Sequence, residues 1–194
     1  LFVKMTAFPV TKSLDDIVPD ARPHFEELLR IATELGLQPK LRSAGRTCAD
    51  QNALKALGAK VTGAGMCRSL HVVGRAIDVD LSPSTCASYT RLGEIWEQMG
   101  GFWGGRWSQF GGCGDAGHFH WMPNPAGGNF QAVPVDICPA SVSLADCEEL
   151  RDRYLAEQFA LGRRSDLTAR IGKIGAVTAV VVLTYAVTNY VINR

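Results

Sequence analysis

The sequence predicts an α+β domain, and three observations carry that prediction. Segments of helical period are interspersed with short segments of strand period, no internal repeat is present, and 194 residues suit one domain of about 100–200 residues plus a tail. Asp20 opens the first helix, which runs to about Leu35 on an apolar face of Phe25, Leu28, Leu29, Ile31, Ala32 and Leu35 and stops at Gly36. Leu37 to Ser43 reads as a short strand. Thr47 then caps a helix to about Gly58, with Asp50 three residues on standing where a capping box usually has Glu or Gln. From Arg75 to Leu81 the pattern alternates, with Ala76, Asp78 and Asp80 on one face and Ile77, Val79 and Leu81 on the other. Ser82 or Ser84 caps a helix through Met99, with Pro83 tolerated in its first turn. A stretch rich in Gly and Trp leads to a strand at Gly117–Met122, and Ser143 starts a last amphipathic helix on Leu144, Cys147, Leu150, Tyr154 and Leu155.

Charge and cysteine content narrow the function classes. A net charge of +1, from 20 basic and 19 acidic side chains, provides no field of one sign, so no nucleic-acid partner is expected. The six cysteines, at 48, 67, 86, 113, 138 and 147, include no Cys-x-x-Cys pair, which argues against a cysteine-only structural zinc site. Their even number favours disulfides over free thiols. Cys138 and Cys147 are close enough in sequence to bridge locally; the pairing of the other four stays open.

The two ends differ. The first ten residues lack the long apolar run of a secretory signal. Residues 174–192 are uncharged throughout, and as a helix they would cover roughly 28 Å, near the thickness of a bilayer's hydrocarbon core. The expected organisation is therefore a domain at 1–161, a basic linker at 162–173 and a transmembrane or membrane-inserting helix at 174–192, which makes the protein membrane-associated.

Two stretches concentrate the chemistry. Ser69 to Asp80 reads Ser-Leu-His-Val-Val-Gly-Arg-Ala-Ile-Asp-Val-Asp, and Asp115 to Trp121 reads Asp-Ala-Gly-His-Phe-His-Trp. Hydrolytic zinc sites use three protein ligands and leave a fourth position for water, and His71, Asp78 and His118 can supply such a set. On one continuous strand His71 and Asp78 would face opposite sides, so Gly74 must bend the chain between them. Asp115, three residues before His118, suits a general base. His24, in Arg-Pro-His-Phe, reads as a packing or surface residue.

These motifs resemble the zinc D-alanyl-D-alanine carboxypeptidase and L-alanyl-D-glutamate endopeptidase family, which includes VanY-like enzymes and phage endolysins. Ser69, His71, Gly74, Ala76 and Asp78 fill its Ser-x-His-x-x-Gly-x-Ala-x-Asp motif, and Asp115, His118 and Phe119 fill its second. Upstream, Ser43-Ala-Gly-Arg46-Thr and Gln51 are similar to its Ser-Gly-Tyr-Arg-Ser and following Gln, with Ala44 and Gly45 departing from Gly-Tyr. Gly101 to Trp107 resembles the Gly-Phe-x-Trp-Gly-Gly-x-Trp stretch of the endopeptidase branch with one residue missing. The resemblance spans Leu37 to Trp121.

The resemblance implies a small antiparallel sheet carrying a Zn2+ site with packed helices, Hedgehog/DD-peptidase-like, followed here by the C-terminal apolar helix. It makes His71, Asp78 and His118 the metal ligands, Asp115 the base and Arg46 the group that steadies the carbonyl oxygen. Ser69, Gln51, His120, Trp103 and Trp121 are implied as supporting or substrate-contacting residues. Some branches carry His-x-His and use the second histidine as ligand; here Gly117 stands three residues before His120 and cannot be a base, so His118 takes the metal. Asp80 reads as a structural acceptor. The implied function is hydrolysis of a peptide bond in peptidoglycan stem or cross-bridge peptides in the periplasm or cell envelope, of the phage-lysis or virion-entry kind, with virion or lysis-machinery proteins as further partners. The alternatives are a D,D-carboxypeptidase of wall metabolism and a non-catalytic, zinc-stabilised wall-binding module.

Overall fold

A computed structural model describes residues 11–57, 67–107, 111–122 and 143–166. The chain divides into two units, 1–156 and 157–194. Four short strands form one antiparallel sheet: β1 (Lys40–Ser43), β2 (Ala76–Asp80), β3 (Phe102–Trp103) and β4 (His118–His120), in the order β1-β2-β4-β3. Around it lie α1 (Arg22–Glu34), α2 (Cys48–Ala56) and α3 (Cys86–Gln98); a further helix, α4, runs over 144–166. The α+β class with a small antiparallel sheet is thus the observed one.

The alternation read from residues 75–81 sets the two faces of the sheet. Ile77 pairs with Phe119, which pairs with Trp103, and these three join Val79, Leu81, Phe25, Leu28, Ala32, Leu92 and Trp96 in the main core. Asp78 pairs with His118 and Ala76 with His120, so the side chains with chemistry share the other face.

Capping differs from the sequence reading in two helices. The residue before α1 is Ala21, without a side-chain cap, because Asp20 is engaged elsewhere: its carboxylate accepts two hydrogen bonds from the Arg75 guanidinium, at 3.0 and 3.1 Å. Gly36, at φ +74°, ends that helix as expected. Thr85, not Ser82 or Ser84, caps α3, accepting from Ser88 N at 3.1 Å. Thr47 caps α2 as read, accepting from Asp50 N at 3.0 Å and donating to its carboxylate at 2.6 Å.

Disulfides join Cys48 to Cys67 and Cys86 to Cys113. Cys147 is also disulfide-bonded; its expected partner Cys138 lies outside the described residues. The start of α4 packs on the domain, where Cys147 joins Cys48, Cys67 and Val72 in a small second core and Arg151 Nε donates to Val72 O at 3.2 Å.

The expectation of membrane association is corrected. Among the described residues no helix is long and apolar enough to cross a membrane. The helix α4 cannot serve, since Arg151, Asp152, Arg153, Glu157, Arg163, Arg164 and Asp166 put charge throughout its length. The run 174–192 and most of the linker, 167–173, lie outside the described residues, and α4 is helical past the expected linker boundary at 162.

Between Leu70 and Arg75 the chain turns, closed by Arg75 N donating to Leu70 O at 2.9 Å. Gly74 sits there at φ +65°, and a Cβ on it would stand 2.6 Å from Asp16 O. A Gly74→Ala variant therefore meets both left-handed strain and a backbone clash, and should lose at least about 1–2 kcal/mol of stability. Urea unfolding checks this; an unchanged midpoint would show that the turn relaxes freely.

Candidate metal centre

Three elements deliver the candidate ligands. Asp78 comes from the middle of β2, His118 from its cross-strand neighbour position on β4, and His71 from the turn before β2, bent back by Gly74 as its position in the sequence required. All three are buried. His71 Nε2 lies 3.2 Å from His118 Nδ1 and 3.3 Å from Asp78 Oδ1, and His118 Nδ1 lies 3.3 Å from the same oxygen. A tetrahedral site with metal–ligand distances of about 2.0–2.1 Å has edges of about 3.3–3.4 Å. The donor triangle has that size, so the residues fit zinc.

The hydrogen bonds behind the ligands fit as well. His71 Nδ1 lies 3.2 Å from Ala44 O, and a carbonyl can only accept, so the proton sits on Nδ1 and Nε2 offers a lone pair to the cluster. His118 Nε2 lies 3.2 Å from His120 Nδ1; with Nε2 as the donor along that line, His118 Nδ1 is bare toward the cluster in the same way. Burial lowers the pKa of His71 and pushes that of His120 down to about 3, which keeps both imidazoles neutral. Burial alone would raise the Asp78 carboxyl; interaction with the cationic forms of His71 and His118 lowers it well below its ordinary range, so the carboxylate calls for positive charge inside the triangle. Two imidazole nitrogens and a carboxylate oxygen converging on one point are a cation's environment.

Cations flank the other side of Asp78. Its Oδ2 lies 3.8 Å from Arg46 Nη2 and 3.9 Å from Arg42 Nη2. Arg46 is half-buried, and its partial burial lowers its pKa although Asp78, Asp50 and Asp115 pull it up; Nη1 donates to Gln51 Oε1 at 2.7 Å and Nε is buried without a partner among the described residues. Gln51, itself fully buried, thus fixes the guanidinium. Arg42 and the Ala44 carbonyl were not singled out in the sequence. Between Leu41 and Ser43 the pairing with β2 slips by one residue, and this bulge, which alternation cannot reveal, lets Arg42 reach both Asp78 and Asp80, the latter at 3.5 Å.

Asp115 stands in the turn that leads into β4, where His118 N donates to Asp115 O at 3.0 Å. A Cβ on Gly104 would lie 3.2 Å from Asp115 Cβ and 3.0 Å from His118 Cβ, so the two side chains leave the backbone beside each other. Ser69 Oγ accepts from His71 N at 3.4 Å, within the ligand loop. His120 stacks on Phe102, with ring centres 4.9 Å apart. Of the tryptophans, Trp107 approaches the histidines of the cluster, 4.9 Å from His118 between ring centres. Trp103 is buried and donates to Ala116 O at 2.8 Å; Trp121 stacks on His24 at 3.6 Å. Asp80 is exposed, paired with Arg42.

Comparison with known proteins places this geometry in a class. Residues 62–121 match the sequence model of a family described as D-alanyl-D-alanine carboxypeptidase. The class is that of a peptidase acting on peptidoglycan, and the family resemblance read from the motifs holds. Among solved structures, the crystal structure of Serratia marcescens L-Ala D-Glu endopeptidase ChiX is similar, with a TM-score of 0.45 and 22% identity over 56% of this chain and 83% of that one. A search of curated proteins found no match.

Proposed function

We propose that the chain is a zinc-dependent peptidase that hydrolyses a peptide bond in peptidoglycan stem or cross-bridge peptides, on a DD-peptidase-like scaffold. The observation that carries this reading is the triangle of His71 Nε2, Asp78 Oδ1 and His118 Nδ1, with edges of 3.2–3.3 Å. His71, Asp78 and His118 would hold the metal, which when bound supplies Lewis acidity, polarising a carbonyl oxygen and acidifying water. Asp115 takes the proton of the attacking water and returns it to the leaving amine. Arg46, pinned by Gln51, stabilises the negative charge that develops on the carbonyl oxygen. His120 fixes the His118 tautomer, and Ser69 supports the His71 loop. The Gly-Trp segment at 101–107 favours an endopeptidase of lysis or entry type over a D,D-carboxypeptidase.

The test is digestion of purified peptidoglycan by the zinc-loaded protein, with mapping of new amino termini. New termini should appear, vanish on chelation and return with added zinc. Zinc-loaded protein that releases none would sink the reading; the bond mapped decides between the two peptidase types.

A further inference from the structure

Asp78 and His118 are held by the ladder of the sheet, but Asp115 stands in a loop. After Asp115 the loop is tied by the Trp103 indole donating to Ala116 O and by the bond from His118 N; Asp115 N itself donates to Gly104 O at 3.0 Å. Before Asp115 the situation differs. Gly111 and Gly112, at φ +70° and +52°, are exposed and have nothing within 4 Å of where a Cβ would stand. Gly114 packs on the Gly104–Gly105 backbone, where a Cβ on it would stand 2.7 Å from each carbonyl oxygen, and the covalent tie on that side is Cys113, bonded to Cys86 in the first turn of α3 with Cα atoms 5.6 Å apart. The Asp115 carboxylate makes no hydrogen bond among the described residues, so its direction follows its backbone.

Exposure separates this bridge from Cys48–Cys67 and from the disulfide of Cys147, which is itself fully buried. Cys48 and Cys67 are fully buried, whereas Cys86 is exposed and Cys113 half-buried. A reductant in solution therefore reaches Cys86–Cys113 first.

We propose that the Cys86–Cys113 disulfide is a redox-sensitive positioning element for Asp115: closed, it holds the carboxylate beside the metal cluster; opened, it releases the carboxylate and leaves the cluster assembled. This rests on the peptidase reading with Asp115 as base. The reductant is a dithiol. One of its thiolates attacks a sulfur of the bridge to form a mixed disulfide, and its second thiolate displaces the protein sulfur. The Cys86–Cys113 bond breaks, a disulfide forms in the reductant, and two electrons and two protons pass to the cysteines.

The test uses the full zinc-loaded chain and a water-soluble phosphine, which is oxidised to its oxide and offers no thiolate to the metal. Alkylation mapping should find Cys86 and Cys113 opened before Cys48 and Cys67. Zinc content should stay constant, KM should hold within about 2-fold, and kcat should fall about 10- to 100-fold, a part of what a general base supplies. A Cys86→Ser/Cys113→Ser variant should show the same loss and ignore the phosphine, and in an Asp115→Asn background the same pair should cost nothing further. The proposal is overturned by unchanged kcat with the bridge open, by zinc leaving in step with activity, by all four cysteines opening together, or by a tenfold further loss in the Asp115→Asn background. Oxidised, zinc-loaded protein that hydrolyses nothing rejects the peptidase reading and this proposal with it; hydrolysis that ignores reduction rejects the bridge's role alone.

Discussion

Replacing Asp115 by asparagine should cut peptide hydrolysis by about 10²- to 10⁴-fold while zinc content stays the same. Asparagine keeps the shape of the side chain and loses only the ability to take a proton. The candidate metal cluster comprises His71, Asp78 and His118, so the substitution removes no proposed ligand from it. The Asp115 side chain has no hydrogen bond among the described residues, so stability should stay within about 0.5 kcal/mol. The loss should fall on kcat, since proton transfer belongs to the transition state and not to binding. Metal analysis beside steady-state kinetics checks all three statements. Retention of more than a tenth of the wild-type rate would place the base elsewhere.

Asp78→Ala should do two kinds of damage at once. It removes one vertex of the donor triangle, so zinc affinity should fall by more than the roughly 10- to 100-fold typical of losing a partner behind a ligand. It also strips the Arg46 side chain, 10% exposed, of the carboxylate it faces at 3.8 Å. Breaking a buried ion pair from one side costs about 3–5 kcal/mol, and the long separation here points to the lower end, about 3 kcal/mol. Urea unfolding of the metal-free proteins isolates this second effect, because bound metal would otherwise add its own stabilisation. Equal midpoints for metal-free wild type and variant would show that Gln51 and solvent suffice for Arg46.

How much of this was legible in the sequence depends on the range of the interaction. The alternation at 75–81 separated the core face, with Ile77 and Val79, from the site face, with Asp78, because strand period is a local property. Gly74 declared the bend by being the residue that tolerates φ +65° against a neighbouring carbonyl. Thr47 declared its cap through Asp50. What failed was decided at a distance. Asp20 looks like a helix cap until Arg75, 55 residues away, claims both its oxygens. Arg42 reaches the cluster through a bulge that exists only relative to β2. The pairings Cys48–Cys67 and Cys86–Cys113 are likewise properties of the folded chain. The apolar run 174–192 lies outside the described residues, and a window of apolar residues states only length and polarity. The tryptophans show the same limit: the one whose ring lies against His118 is Trp107, and spacing alone does not distinguish it from Trp103 and Trp121.

Asp78 and His118 face each other across neighbouring antiparallel strands, with Ile77 opposite Phe119 one step away. A slip of β2 by a single residue would turn Asp78 toward the apolar layer and Ile77 toward the histidines. Such a misfolded chain has no donor triangle and cannot take up the ion. Under the proposed zinc binding, metal uptake would act as proofreading: it would draw the folding population toward the one alignment of β2 and β4 that also buries the core, and the fraction of protein that loads zinc during refolding would count the chains that paired correctly.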